Sequence, residues 1–333
     1  MIFFGGERAE AELVPAAGYE FNQLKLTGLD RKNPLKALRA LWLALRGVFV
    51  ARRAITRKRI DAVMAGGGYV AGPVGAAAVL SRIPLVVTEA DAHLGVANRV
   101  LAPFARRVCL AFALEGRDDA KYVVTGRPIA PRREGLSKQS AREHFGLPAD
   151  GRCLLVFGGS LGARNLNRAA LEAFADGVPE GLCVMHLTGR GDFSASREIL
   201  DAQPALAASA AHARYRLFDY TKDFDIALAA ADLSVCRAGG SIFELAAAGL
   251  PAVLVPYPYA TADHQALNAK WLTEGDAAVM VRDEELSGET LRRLLREILD
   301  PPGRLEEMSR NAIELSMPDA AERIADALIE VAA

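Results

Sequence analysis

Residues 152–174 read RCLLVFGGSLGARNLNRAALEAF, and this stretch decides the fold. A short apolar run leads into a glycine-rich turn, and apolar residues at helical spacing follow the turn. Such an uninterrupted apolar run predicts a strand that is buried on both faces, as in a parallel sheet covered by helices. A strand, a glycine-rich turn and a helix in this order predict a doubly wound α/β domain, in which ligands bind at the carboxyl ends of the strands.

The same pattern recurs along the chain. Residues 61–80, DAVMAGGGYVAGPVGAAAVL, also predict a strand, a glycine-rich turn and a helix. Further strand-like runs, separated by helix-forming sequence, occupy residues 83–91, 121–128, 182–189, 213–220, 231–240 and 251–258. This alternation of strands and helices predicts an α/β fold built on parallel sheets.

A polar segment that contains proline divides the pattern. Residues 127–151 carry no strand pattern, although SKQSAREHFGL within them predicts a short helix. We therefore predict an N-terminal domain over residues 1–130, a linker over 131–150 and a C-terminal domain over 151–316. Residues 317–333 are amphipathic after a Pro-Asp pair and predict a final helix.

The composition argues against several classes of function. The net charge of −1 does not suggest a nucleic-acid partner. No run approaches the roughly 18 apolar residues that a membrane span needs. The histidines never stand at metal-ligand spacing and there is no D-x-D motif, so we expect neither a metal nor another cofactor. The four cysteines are widely spaced and predict buried, reduced thiols: Cys109, Cys153, Cys183 and Cys236.

Two glycine-rich turns in the C-terminal half are candidate anion sites. The turn with Gly158, Gly159, Ser160 and Gly162 matches neither a dinucleotide fingerprint nor a Walker loop. It predicts either a phosphate contact, through free backbone amides at the start of a helix, or a plain tight turn.

In the second turn, Gly239, Gly240 and Ser241 precede a helix that carries Glu244. An acidic residue in the first turn of a helix can simply complement the helix dipole. It can also accept hydrogen bonds from both hydroxyls of a ribose whose phosphates lie at the same helix end.

Other polar residues follow predicted strands. His264, Gln265 and Asn268 come shortly after the run that ends near residue 258, and they predict either helix capping or a surface that reads sugar hydroxyls. In the third glycine-rich turn, residues 66–68 permit close backbone approach. Tyr69, which follows them, predicts a packing residue or part of a binding cleft.

The positive charge of the chain is concentrated near its start. Residues 31–59 contain many cations and no acid, and they carry an apolar stripe at helical spacing: Leu35, Leu38, Trp42, Leu45 and Phe49. One interpretation packs the stripe on the domain core, with the cations in water. The other docks the helix on an anionic bilayer surface, which basic amphipathic helices favour.

Five motifs in register resemble one family. GGGYVAGP, GGSLGARNLN, CRAGG followed by ELAAAGLPAVLVP, DHQALNA and SMPDAAERIA are similar to the MurG family in order and spacing, over essentially the whole chain. The family transfers N-acetylglucosamine from UDP-N-acetylglucosamine to undecaprenyl-pyrophosphoryl-muramyl-pentapeptide, without a metal and with inversion. The resemblance implies the GT-B class, two Rossmann-like doubly wound domains that face a cleft. It also implies a final helix that returns to the N-terminal domain, and a peripheral location on the cytoplasmic face of the membrane.

The resemblance also implies roles for individual residues. Ser160, Gly239, Gly240 and Ser241 would contact the diphosphate, Glu244 the ribose, Thr221 the uracil through its backbone, and His264 and Gln265 the sugar. Asp91, Tyr69 and Asn268 would lie near the sugar or the acceptor. The stripe of Leu38, Trp42, Leu45 and Phe49 would face the membrane.

Three departures from the family pattern affect these roles. Asp91 stands where the family has an asparagine, and Ala130 where it has an arginine that faces the diphosphate. Arg127, Arg132 or Arg133 could replace that arginine. Residues 3–15, FFGGERAEAELVP, resemble the second strand of the family, which implies that its first strand, a histidine-bearing loop and a helix are absent. The catalytic residue therefore stays unidentified, because this histidine is the family's candidate base.

Two rival interpretations stay open at this point. One is a different enzyme of the same architecture, such as a glycolipid transferase or a UDP-N-acetylglucosamine epimerase. The other is a protein that binds the nucleotide-sugar without transferring it, because the N-terminal segment is absent. A misplaced start at Met1 would have the same appearance in the sequence.

Overall fold

The apolar runs form strands in both halves of the chain. A computed structural model describes residues 1–27, 34–133, 135–159 and 163–333, with side chains of the helix that begins at Pro34 described from Leu38 onward. These residues form two compact units, Met1–Pro128 with Asp319–Ala333, and Ile129–Pro318. Each unit has its own hydrophobic core.

The strands of the first unit pair in parallel. In chain order they are β1 (Ile2–Gly5), β2 (Glu20–Gln23), β3 (Val63–Ala65), β4 (Leu85–Glu89), β5 (Arg107–Leu110) and β6 (Tyr122–Val124). Among the described residues, β1 pairs with β2, and the other four form one sheet in the order β3-β4-β5-β6. Leu85, Val86 and Val87 of β4 are buried, as the apolar run at this position predicts.

Small residues let the helices of this unit pack closely. The helices are α1 (Glu10–Ala16), α2 (Pro34–Lys58), α3 (Gly68–Leu80) and α4 (Val96–Leu101). A Cβ atom on Gly75 of α3 would lie 2.5 Å from the side chain of Leu101, so a larger residue would force that side chain to move, and glycine lets α3 lie close to α4. Ala77 and Ala78 of α3 are fully buried.

The second unit is built on a larger parallel sheet. Its strands are β7 (Arg152–Phe157), β8 (Leu182–Leu187), β9 (Tyr215–Phe218), β10 (Leu233–Cys236), β11 (Ala252–Leu254) and β12 (Ala278–Met280). Their order in the described part of the sheet is β12-β11-β10-β7-β8-β9. Chain order therefore reverses between β7 and β10, and such a switch point opens a crevice beyond the carboxyl ends of the two strands.

Helices connect these strands in turn. They are α5 (Lys138–His144), α6 (Arg164–Ala173), α7 (Phe193–Asp201), α8 (Pro204–Ala211), α9 (Phe224–Ala230), α10 (Ile242–Ala248), α11 (His264–Glu274), α12 (Gly288–Leu299) and α13 (Arg304–Leu315). The short helix predicted after residue 136 is α5, and a capping box between Ser137 and Ser140 fixes its start.

The chain returns to the first unit at its end. Helix α14 (Ala320–Ala332) belongs to this unit, and its Ile324 and Ala327 pack against Val86 of β4 and Cys109 of β5. None of the helices in the described ranges is long and apolar enough to cross a membrane.

The predicted α/β fold with parallel sheets is confirmed, and so is the burial of the free thiols of the four cysteines. Three strands were not predicted from the sequence: β2, β5 and β12. β2 (EFNQ) is mostly polar and offers no apolar run, whereas the apolar runs VCLAFAL (108–114) and AAVMV (277–281), which contain most of β5 and all of β12, were overlooked.

Candidate functional site

The candidate site begins at the switch point, where β7 and β10 end. A Cβ atom on Gly158 would meet the Cβ of Ala163 at 2.3 Å, so glycine is needed for the close approach of the strand end to the start of α6. Ser160 and Gly162 lie outside the described residues. The turn after β10 leads through Gly239, Gly240 and Ser241 into α10.

The turn after β10 has room around Gly239. Among the residues that the structure describes, a Cβ atom on Gly239 would come within 4 Å of the Nε2 atom of Gln265 alone, at 3.9 Å. The Ser241 side chain makes no capping hydrogen bond to its own helix. The Ser241 hydroxyl is therefore not used as a helix cap, whereas the carbonyls of Gly239, Gly240 and Ser241 accept hydrogen bonds from amides at the start of α10.

A cavity of about 270 Å³ lies beside α10. Glu244 and Ala247 of α10 form part of its wall, and residues 129–133 form another. The remaining lining residues belong to the segment that enters α9: Lys222, Phe224, Asp225 and Leu228. The structure thus brings the sequence-predicted Glu244 together with Ala130, Arg132 and Arg133 in one cavity.

Ion pairs fix one arginine in this wall. The guanidinium of Arg133 contacts Asp223 at 2.6 Å and Asp225 at 3.0 Å. The hydrogen bond from Arg133 holds the pKa of Asp223 below its ordinary value. Thr221 stabilises the same turn, because its Oγ1 accepts a hydrogen bond from the Asp223 amide at 3.0 Å.

The residues predicted to read the sugar lie at the start of α11. Gln265 adjoins the Gly239 turn, and its Oε1 accepts a hydrogen bond from the Tyr257 amide at 2.9 Å. His264 donates through Nδ1 to the carbonyl of Thr261 at 2.9 Å, which fixes the orientation of the ring. Asn268 is buried and donates to the carbonyl of Ala238, so it holds the turn after β10 rather than facing solvent.

The backbone just before these residues is strained. Ala262 and Asp263 both have left-handed φ angles, of 54° and 51°. Residues other than glycine adopt the left-handed backbone region at a conformational cost of about 1 kcal/mol or more each. Such strain concentrates at functional sites. The ion pair between Arg282 and Asp263, at 2.9 Å, helps to hold this conformation.

In the first unit, a carboxylate missed by the sequence analysis shapes the loop that carries Asp91. Glu89 ends β4, and its Oε1 accepts from the amides of Ala90 at 3.0 Å and Asp91 at 3.2 Å. Its Oε2 accepts from the Gly95 amide at 2.8 Å and the Asn98 side chain at 2.9 Å. An acidic residue that ends a buried apolar strand is the signal that could have identified it.

Tyr69 lies at the first turn of α3, and its hydroxyl lies over the turn that follows β1. A Cβ atom on Gly6 would come within 2.4 Å of that oxygen. The Gly6 amide instead donates to Glu10 at 2.9 Å. The pair Gly5-Gly6 therefore accommodates side chains of its own unit.

A buried polar network lies beneath the start of α6. His186 of β8 contacts the Tyr215 hydroxyl through Nδ1 at 2.8 Å and the Asn167 Oδ1 through Nε2 at 3.0 Å. The Asn167 amide nitrogen donates to the carbonyl of Thr188 at 2.9 Å. Since Oδ1 can only accept, His186 carries its proton on Nε2 and accepts from Tyr215. Burial lowers the pKa of His186 to about 3, so the ring is neutral.

The apolar stripe of α2 faces outward. Leu38, Trp42, Leu45 and Phe49 have exposed fractions between 54% and 70%. The face of α2 that packs on its unit instead carries small residues and one isoleucine: Ala40, Gly47, Ala51 and Ile55. The core-packing interpretation of the stripe is therefore wrong for these four residues. The side chain of Leu35 lies outside the described residues.

Comparison with known proteins identifies the family. Residues 3–110 match the N-terminal domain of glycosyltransferase family 28, and residues 153–324 match its C-terminal domain. The chain belongs to glycosyltransferase family 28.

Curated relatives in this family span nearly the whole chain. One from Methylococcus capsulatus is 39% identical over 99% of this chain and 90% of its own length. Another, from Stutzerimonas stutzeri, is 40% identical over 97% of this chain and 88% of its own length. Both are named UDP-N-acetylglucosamine–N-acetylmuramyl-(pentapeptide) pyrophosphoryl-undecaprenol N-acetylglucosamine transferase, which confirms the resemblance to the MurG family.

Solved structures agree with this family 28 assignment. The crystal structure of Acinetobacter baumannii MurG has a TM-score of 0.76 and 29% identity, and it matches 98% of this chain and 90% of its own. A putative UDP-N-acetylglucosamine 2-epimerase from Listeria monocytogenes has a TM-score of 0.66 at 17% identity, which shows a shared fold alone. The GT-B class, with two Rossmann-like α/β units, is confirmed.

Proposed function

We propose that this family 28 chain transfers N-acetylglucosamine from UDP-N-acetylglucosamine to undecaprenyl-pyrophosphoryl-N-acetylmuramyl-pentapeptide, a step in making the peptidoglycan precursor. The observation that carries the proposal is the identity of 33–40% to curated transferases of this name over nearly the full chain. The cavity at Glu244 and the open turn after β10 supply a site for the nucleotide part of the donor.

The uridine of the donor would occupy the cavity beside α10. The Glu244 carboxylate, on its wall, can accept from both ribose hydroxyls. Thr221 and Lys222 would meet the uracil through backbone groups. Arg132 lines the same cavity, and its positive charge could take the place of the arginine that Ala130 replaces, because Arg133 is already paired with Asp223 and Asp225. A guanidinium at the edge of this cavity favours a nucleotide that carries phosphate groups.

The diphosphate and the sugar would lie along the turn after β10. Ser160 and Gly239, Gly240 and Ser241 would donate to the phosphate oxygens. Gln265, held beside Gly239, and His264 would then read the hydroxyls of N-acetylglucosamine, while Asn268 positions the turn. In the first unit, Asp91 and Tyr69 would contact the sugar or the acceptor.

The reaction proceeds as a single displacement with inversion. The acceptor hydroxyl attacks the anomeric carbon from the face opposite UDP, the bond from that carbon to the diphosphate oxygen breaks, and its electron pair leaves with UDP. The hydroxyl proton passes to a base that is not identified. Amides of the glycine-rich turns would stabilise the charge that develops on the diphosphate, without a metal ion.

The outward face of α2 would bind an anionic membrane surface. Leu38, Trp42, Leu45 and Phe49 provide exposed apolar area, and the helix carries cations but no acid. Apolar area together with positive charge favours a bilayer that contains anionic lipids. We place the enzyme at the cytoplasmic face of the cell membrane, where the first unit would receive the lipid-linked acceptor and the second unit the donor.

Product analysis tests the proposal. Incubation with labelled UDP-N-acetylglucosamine and the lipid-linked muramyl-pentapeptide is expected to give the lipid-linked disaccharide and UDP in equal amounts, in the presence of EDTA. Formation of UDP-N-acetylmannosamine without an acceptor would identify an epimerase instead. Donor binding without any transfer would identify a nucleotide-sugar-binding protein.

A further inference from the structure

A belt of polar contacts crosses the carboxyl ends of four neighbouring strands in the second unit. The residues that form it follow β12, β11, β10 and β7, which are adjacent in the sheet. The two central members are Arg237, directly after β10, and Asp283, shortly after β12. Their exposed fractions are only 12% and 17%.

Arg237 ties three strand ends together. Its Nη1 atom approaches Asp283 Oδ1 at 2.5 Å and donates to the carbonyls of Val255 and Pro256, both at 3.1 Å. Asp283 Oδ1 is buried and has no hydrogen-bond partner within the part of the chain that the structure describes, so its contact with Arg237 is an ion pair.

Asp283 extends the belt to the helix that follows β7. The side-chain amide of Asn165, in the first turn of α6, donates to the carbonyl of Asp283 and lies 3.4 Å from its Oδ2. The guanidinium of Arg237 also lies over the ring of Tyr257, 5.8 Å from its centroid. The Tyr257 amide donates to Gln265, so the belt reaches the proposed sugar-reading residue.

We propose that Asp283 is a positioning residue for the donor site. Through Arg237 and Asn165 it holds the start of α6, the turn after β10 and the loop after β11 in one fixed arrangement, so that the donors of this part of the site meet the nucleotide diphosphate together. The inference rests on the proposed function, and it adds a residue that does not itself touch the donor.

Asp283 supplies the negative charge that the nearly buried guanidinium of Arg237 faces. A nearly buried guanidinium that loses its carboxylate partner stays charged, and it moves towards other acceptors or towards water. The nearest other acceptors for the guanidinium of Arg237 are backbone carbonyls at the same strand ends. The turns that Arg237 organises would therefore shift. A preformed site loses affinity when its donors must be ordered at the moment of binding.

Isothermal titration with UDP and steady-state kinetics test the inference in the full chain. Asp283→Asn is expected to raise both the Kd of UDP and the KM of UDP-N-acetylglucosamine about tenfold. The matched control is Asp276→Asn, which breaks the ion pair with Arg304 elsewhere in the same unit. We expect this control to bind UDP within twofold of the wild-type chain. Wild-type UDP affinity in a folded Asp283→Asn variant would overturn the inference.

A double variant separates positioning from plain stability. Arg237→Met with Asp283→Leu removes both buried charges, so it folds even where the single variant does not, and its Tm returns towards that of the wild-type chain. If Asp283 acts by positioning, the double variant still binds UDP about tenfold more weakly. Restoration of Tm and of UDP affinity together would overturn the inference. A wild-type chain that fails to bind UDP would overturn the proposed function and the inference with it.

Discussion

Glu244 is the single residue on which the proposed donor recognition depends most directly. Glu244→Ala is expected to weaken UDP binding by about 1–3 kcal/mol, because a carboxylate that accepts from two hydroxyls is lost. Isothermal titration measures this change. Glu289→Ala is the matched control, since Glu289 also lies in the first turn of a helix, α12. Equal UDP affinity in both variants would favour the helix-dipole interpretation of Glu244.

His186 gives the second unit a pH dependence of known sign. Its pKa is about 3 in the folded chain against an ordinary value of 6.5, so the unfolded chain binds more protons between these values. The contribution of His186 to the free energy of unfolding is fully present above pH 6.5 and decreases as the pH drops towards 3. A difference of one bound proton between the unfolded and folded chains changes this free energy by about 1.4 kcal/mol for each pH unit.

His186→Gln is therefore expected to flatten this dependence. Between pH 6.5 and 4.5 the wild-type chain should lose on the order of 2–3 kcal/mol more unfolding free energy than the variant. Urea unfolding in a Trp42→Phe background measures it, because Trp271, stacked on Phe243, then reports on the second unit alone. If the unfolding free energies of the wild-type chain and the variant fall equally as the pH is lowered, His186 is not the buried neutral group that causes the pH dependence.

Residues at the site differ in how far the sequence could identify them. Glu244 and Gly239 stand in one local motif, a strand end followed by a glycine-rich turn and a helix, so local reasoning identified them. Asp283 lies far along the chain from its partner Arg237, and it meets that partner only because β12 and β10 belong to one sheet. No local pattern encodes such a contact.

At the scale of elements, α2 shows what helical periodicity leaves undetermined. The spacing of Trp42 and its neighbours predicts a helix with one apolar face, but not whether that face points to the core or to a membrane. A second set of residues at helical spacing was overlooked in the sequence, and it indicates which face of α2 packs inward: Ala40, Gly47 and Ala51. Small residues on the opposite face permit close packing on α3, and they leave the large apolar residues outside.

The α2 face yields a direct test of membrane binding. Trp42→Glu is expected to lower partitioning onto vesicles that contain anionic lipids by tenfold or more. The loss of exposed aromatic area alone is worth about 2 kcal/mol, and the added negative charge opposes binding further. Sedimentation with vesicles measures the bound fraction.

The matched control for this test is Ile329→Glu. Ile329 has an exposed fraction of 67% and belongs to α14 of the same unit. The same change there is expected to leave vesicle binding intact. Equal loss in both variants, or no loss in Trp42→Glu, would contradict a specific membrane role for α2.

At the scale of the whole molecule, the path of the chain links the two units. The chain completes Ile129–Pro318 and then adds α14 to the sheet of the first unit. The amphipathic pattern of residues 317–333 predicts the helix, and the resemblance to the MurG family implies that it packs on the first unit. Neither of them identifies the residues on which the helix packs. Those residues are Val86 and Cys109, whose strands are separated from α14 by more than half of the chain.

Cys109 reports whether α14 is in place. Burial raises the pKa of its thiol to about 11, so the reactive thiolate is scarce and covered in the native chain. Ile324→Glu places a carboxylate against Val86 and Cys109, which loosens α14, and alkylation of Cys109 at pH 8 is expected to become fast. Mass spectrometry of the labelled peptides measures the rate, with Cys236 as the internal standard because its pKa is raised to about 12 in the core of the other unit. Ile329→Glu, on the exposed face of the same helix, should leave Cys109 protected, and rapid labelling there or in the wild-type chain would contradict this packing.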